Sequence, residues 1–167
     1  NFLYGIKQSR KVIFGNDILG EIDFSFNKNY LLKIAPIDLK IFKFQLLRSP
    51  LSYDLDNDFD LFLNECLVLG KMISYLGVEI VLTDDEIKNG DHLNYIFNKR
   101  NMLRLYREKY NQEVSKNVEY ILYVRENYRI LKKLKSNAIK LFRASYNLEI
   151  EVERKLKEVI KRSENIK

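Results

Sequence analysis

The sequence predicts an α+β fold: a small antiparallel β-meander or partial barrel packed on one helix, followed by a basic helical arm or bundle. Three observations lead there. Ile22, Phe24 and Phe26 are separated by Asp23 and Ser25, the two-residue period of a half-buried strand. All six Gly and both Pro lie before residue 91, and the last 77 residues contain neither; these residues are the strongest breakers of regular structure. Charge divides at nearly the same place. Residues 1–93 carry 10 basic and 14 acidic side chains, net −4, whereas residues 94–167 carry 19 and 9, net +10. The expected organisation is a mixed β/α domain over residues 1–90 and a basic helical segment over residues 91–167.

Along the chain, residues 11–14 and 18–26 read as strands around Gly15-Asn16-Asp17, and Asn27-Lys28-Asn29 reads as a turn, because Asn tolerates left-handed backbone. Residues 30–34 form an expected third strand ending before Pro36, and residues 37–47 a fourth. In the fourth, Ile37, Leu39 and Ile41 alternate with Asp38 and Lys40, and the pattern slips by one at Phe42, as a bulge would make it do. Residues 48–58 read as a loop. Residues 59–75 read as a helix, with Phe59, Phe62, Leu63, Cys66, Leu67, Leu69, Met72 and Ile73 mostly at three- and four-residue steps, and Gly77 is its expected C-terminal cap. Residues 78–82 read as a short strand. Thr83 and Glu86 have the spacing of a capping box.

From Asp91 onward the pattern is helical. Leu93, Ile96, Phe97, Leu103, Tyr106 and Tyr110 mark one apolar face; Val114, Val118, Ile121, Leu122, Tyr128, Leu131 and Leu134 mark a second. Ile139, Phe142, Leu148, Val152, Leu156, Val159 and Ile160 mark a third. Breaks are expected near Asn111, Ser136-Asn137 and residues 145–147. Coiled-coil spacing occurs in short stretches only, so a helical bundle is favoured.

At 167 residues with 46% hydrophobic composition, the chain can bury a core and is no disordered polymer. One cysteine, Cys66, excludes an intramolecular disulfide framework and a cysteine-cluster zinc site. One histidine, His92, excludes His-rich metal sites. No uninterrupted apolar run reaches the roughly eighteen residues of a membrane span, and no secretory leader pattern opens the chain. A cytoplasmic or other intracellular location is expected.

Two segments resemble known sites. Asp54, Asp56, Asp58, Asp60 and Glu65 fall at positions 1, 3, 5, 7 and 12 of a loop that resembles the EF-hand calcium loop. Calcium is the ligand that resemblance implies. Phe59 stands where the template has Gly, and the bland reading is an acidic entry to a helix, where carboxylates oppose the positive dipole end. Residues 20–25, with Asp23 and Ser25, look like the D-x-S segment of PilZ domains, which implies a cyclic-dinucleotide receptor in degenerate form. Its expected upstream basic element is Lys7 to Lys11.

The basic segment offers a nucleic-acid surface. Arg100, Arg104, Arg107, Arg125, Arg129, Lys132, Lys133, Lys140 and Arg143 recur at helical spacing and are interleaved with Tyr106, Tyr120, Tyr123, Tyr128 and Tyr146. Cations could neutralise phosphates while Tyr rings stack on bases; a solvated helix surface is the bland alternative. His92 beside Asp91 reads as a helix-start residue, and Cys66 as a buried thiol. No Gly-rich phosphate loop or activated nucleophile is present. The function expected first is therefore a non-enzymatic protein-interaction or scaffold module with a helical association surface, for a protein partner or a second copy. An RNA- or DNA-binding protein is the alternative.

Overall fold

The computed structural model describes residues 28–83, 85–86 and 95–164. Six helices are described in full: α1 (Lys28–Ser52), α2 (Phe59–Val81), α3 (Lys99–Lys109), α4 (Gln112–Glu126), α5 (Tyr128–Leu131) and α6 (Lys135–Glu164); residues 85–86 and 95–97 are also helical. The described residues are 88% helical and contain no strand, which overturns the α+β expectation in favour of an all-helical bundle. The third and fourth predicted strands are one continuous helix, α1, and the strand predicted at residues 78–82 is the last turn of α2 and its cap. The strands predicted at residues 11–14 and 18–26 lie outside the described residues.

The misreading of α1 has a physical cause. Its buried side chains, Leu31, Ala35, Leu39, Leu46 and Ser49, follow helical steps of three and four. A second apolar set, Ile37, Ile41, Phe44 and Leu51, follows similar steps on the exposed side. Two such stripes interleave into near-alternation, and the slip at Phe42 is the point where the helical period leaves the two-residue template. Pro36 and Pro50 both lie inside α1. An internal proline costs about 3 kcal/mol. Full burial of a Leu-sized side chain contributes about 1.5–3 kcal/mol, so the inner stripe offsets the defect at Pro36.

Helix α2 is the central element, buried on several sides, with Phe62, Leu63, Cys66, Leu69, Ile73, Leu76, Val78 and Ile80 all covered. It packs against α6, α1, α4 and α3. Gly77 is inside this helix, not its cap. A Cβ there would lie 2.2 Å from the Tyr106 hydroxyl oxygen and 3.0 Å from Val152 Cγ2, so glycine is required by close approach. The Tyr106 hydroxyl donates to the Ser74 carbonyl at 2.7 Å, and the Tyr110 hydroxyl to the Gly77 carbonyl at 2.8 Å. The real end of α2 is capped in trans: Lys28 Nζ donates to the carbonyls of Glu79, Ile80 and Leu82 at 2.7, 2.8 and 2.5 Å, a cation on the negative end of the helix dipole.

Helices α3 and α4 form a hairpin, each started by an asparagine side chain. Asn98 accepts from the Asn101 N–H at 3.1 Å and Asn111 from the Val114 N–H at 2.9 Å, so the break expected near Asn111 is present. The break expected near Ser136 falls at residues 132–134, just before α6. The break expected at residues 145–147 is absent. Ser145 is buried, and its hydroxyl donates to the Cys66 carbonyl at 3.2 Å, joining α6 to α2. Helix α6 has 30 residues, about 45 Å at 1.5 Å per residue. Its buried stripe, Ala138, Leu141, Ser145, Leu148, Val152 and Leu156, packs on α2, α4 and α1. Side chains from both sides of residue 91 thus share one apolar core.

By length and composition alone, α2 is a helix that could cross a membrane; 61% of its most apolar stretch is buried inside the structure. The sequence reading counted uninterrupted apolar runs, whereas the whole helix includes Glu65, Lys71 and Glu79 between them.

Candidate interaction surfaces

The exposed side of α1 carries the most ordered surface pattern in the described residues. Ile34, Ile37, Ile41, Phe44, Arg48 and Leu51 are separated by three, four, three, four and three residues, and Tyr30 precedes them in phase. This is the a/d alternation of a coiled-coil seam. Ile37 is 57%, Phe44 63% and Leu51 88% exposed. In heptad terms Ile34, Ile41 and Arg48 occupy a positions and Ile37, Phe44 and Leu51 occupy d positions. Both prolines fall two residues after an a position, on the flank away from the seam. The positions that a free coiled coil leaves to solvent, Ala35, Leu39, Leu46 and Ser49, are instead buried in this protein's own core. Sequence reasoning missed the seam, although its signal was the 3–4 spacing itself, obscured by Pro36 and by the interleaved inner stripe.

Helix α1 is fixed to the body by charge as well as by packing. Lys43 Nζ donates to Glu153 Oε2 at 3.1 Å and lies 3.4 Å from Glu149 Oε2. Glu149 is 1% exposed, and its carboxylate oxygens have no hydrogen-bond donor among the described residues. Burial pushes its pKa up, with Lys43 opposing the shift. At the C-terminal end of α2, burial pushes Glu79 to about 7, with the Lys28 charge working against it and Asp38 with it. Cys66 is fully buried, and burial raises its thiol to about 12, which keeps it protonated and unreactive.

The nine predicted cations, Arg100, Arg104, Arg107, Arg125, Arg129, Lys132, Lys133, Lys140 and Arg143, are all exposed. Arg104 lies 4.0 Å from Glu108 in the next turn. The other eight form no ion pair with a described residue. Arg125 also raises the local positive potential: the pKa of half-buried Lys71 is lowered first by burial and then by the Arg125 charge. A shallow cleft of about 250 Å³ beside Arg125 is lined by Ile96, Phe97, Lys99, Leu122 and Glu126, with Lys99 and Glu126 paired at 2.7 Å. Of the interleaved tyrosines, Tyr106 is in the core, Tyr120, Tyr128 and Tyr146 are half-buried, and Tyr123 is exposed.

Three of the five acidic residues of the calcium-loop resemblance, Asp54, Asp56 and Asp60, are engaged locally. Asp54 accepts from the Asp56 N–H at 3.0 Å and from the Asn57 side chain at 2.6 Å, and these bonds lower its pKa. Asp56 pairs with Lys135. Asp58 precedes α2 without a side-chain capping bond, and Asp60 accepts from the Leu61 N–H at 2.9 Å. The Glu65 carboxylate raises the pKa of Tyr53. Among the described residues no three His, Cys, Asp or Glu side chains are grouped to hold a metal ion. The Thr83–Glu86 capping box is formed, with Glu86 N–H to Thr83 Oγ1 at 3.2 Å and Thr83 N–H to Glu86 Oε2 at 2.7 Å. His92 and the segment with Asp23 and Ser25 lie outside the described residues.

No protein-family model matches this chain, no curated protein matches it in sequence, and no solved structure matches its fold.

Proposed function

We propose that this chain is a non-enzymatic protein-interaction module whose association surface is the outer face of α1, with an amphipathic helix as the docking element on the partner. The observation that carries the reading is the seam of Ile34, Ile37, Ile41, Phe44 and Leu51, spaced as helices space residues that meet another helix. Isolated exposed apolar residues are ordinary on protein surfaces, whereas an aligned stripe of them marks a contact. The sequence reading placed the association surface after residue 91; the α1 stripe is longer and more regular than the scattered Phe97, Ile130, Leu134 and Ile150 there.

A photoreactive amino acid at Ile37, compared with one at exposed Lys116 on α4, tests the reading in the cell that makes the protein. A discrete protein adduct from position 37 and none from position 116 is expected. Adducts that do not discriminate between the two positions, or none at all, would remove the reading.

A second reading has its own observation: eight exposed cations without an ion-pair partner among the described residues, concentrated on α3, α4, α5 and the start of α6. On that reading the face binds RNA or DNA through phosphates, and anisotropy with labelled single-stranded and duplex probes should show affinity falling steeply with salt. Absence of binding at low salt would dispose of it.

A further inference from the structure

The seam on α1 is specific enough to name its occupant. We infer that α1 pairs with α1 of a second copy of this chain, in parallel and in register, as a two-stranded coiled coil; this rests on the association surface proposed above. The positions flanking the seam carry the argument. With Ile34, Ile41 and Arg48 at a, the g positions are Lys33, Lys40 and Leu47, all exposed, and the e positions are buried Leu31, half-buried Asp38 and Gln45, and exposed Ser52. In a parallel in-register pair, g of one helix meets the e position five residues later on the other. Lys33 therefore meets Asp38 of the second copy, twice by symmetry, and Lys40 meets Gln45. An antiparallel pair would set g against g and bring the Lys33 and Lys40 flank against itself. Charge complementarity thus selects the parallel arrangement.

Ile34 and Ile41 at a with Leu51 at d match the two-strand pattern, whereas Ile37 and Phe44 at d do not, so the strand number rests on how the bodies are placed. Arg48 is the single charged a residue, in the last turns of α1, where its long side chain can reach past the seam to water. In register, Arg48 faces Arg48 of the second copy and both side chains turn outward, whereas a slip by one heptad would set each against Ile41. Each body lies behind its own α1, on the side of Ala35, Leu39 and Leu46. The two bodies then fall on opposite sides of a two-fold axis and the assembly closes.

The test uses the full chain. Light scattering should give twice the 20.0 kDa chain mass, and the double substitution Ile37→Glu, Phe44→Glu should give the single-chain mass with helical circular dichroism unchanged. Lys33→Glu should raise the dimer dissociation constant about tenfold, and adding Asp38→Lys should restore it. Leu51→Cys should form a disulfide-linked dimer under mild oxidation, because d meets d only in a parallel register and buried Cys66 stays unreactive. A single-chain mass at every concentration, a dimer indifferent to the seam and charge substitutions, or no cross-link from Leu51→Cys would overturn the inference. The crosslinker at Ile37 separates the two levels. Adducts only with a different protein would overturn the homodimer and leave the association surface standing, whereas no adduct would remove both.

Discussion

Helices α1 and α2 have 25 and 23 residues and are both apolar, but they are partnered differently. Around α2 the bundle supplies α1, α3, α4 and α6, and small residues at Gly70, Ser74 and Gly77 let those neighbours come close. Among the described residues α1 packs mainly against α2 and α6, so one stripe is buried and the other faces solvent. A helix that is apolar on several sides is stable in water when several sides are covered. In α2 that requirement is largely met within the chain, with Leu61, Val68 and Met72 left about half exposed. In α1 it is half met, and the unmet half has the spacing of a helix-binding seam.

The sharpest way to break this comparison is to truncate one residue on each stripe of α1. Leu39→Ala, on the inner stripe, should destabilise the fold by about 3 kcal/mol in denaturant titrations. Ile41→Ala, on the outer stripe, should change it by less than about 0.5 kcal/mol at concentrations that keep the chain single. Equal costs would mean that the outer stripe is packed in the isolated chain.

The close packing of α2 is tested next. Gly77→Ala should cost about 2 kcal/mol, because the Tyr106 hydroxyl occupies the space of the new methyl and is held by Ser74. Tyr106→Phe alone should cost about 1 kcal/mol through its lost hydrogen bond. In that background Gly77→Ala should cost clearly less than in the wild-type chain. Additive costs would show that the contact with Tyr106 is not what demands glycine.

A smaller effect, with a definite sign, comes from Glu79. Its folded pKa, about 7, lies above the ordinary carboxyl value. Between the two values the folded state keeps a proton that the unfolded chain releases, so this group lowers stability as pH rises through that window, with the full penalty above it. Glu79→Gln should raise the melting temperature at pH 8, by an amount worth about 1–2 kcal/mol, and leave it nearly unchanged at pH 4. An equal gain at both values would locate the effect elsewhere.

Local chemistry was legible where it acts over a few residues. The Asn111 break, the Thr83–Glu86 capping box, the helix beginning at Phe59 and the apolar faces of α3, α4 and α6 each depend on residues within one or two turns. They read correctly for that reason. Features that depend on another element did not. Gly77 looked like a cap because capping is a local role of glycine, but its role here is to admit Tyr106 from α3. Ser145 looked like a break because serine competes locally with the helix backbone, but its hydroxyl is used by α2. The exposure of the nine cations followed from their charge, whereas the lack of an ion pair at eight of them among the described residues depended on how α3, α4 and α6 are placed.

By itself the sequence determined where α2 and α4 begin and which residues are apolar, because capping and periodicity are properties of neighbours along the chain. Only the tertiary structure decided that α1 is a helix, which of its two stripes is inside, and that the other is left open. The physical reason is that two interleaved helical stripes produce near-alternation in one dimension. Packing against α2 and α6 is what separates them in three.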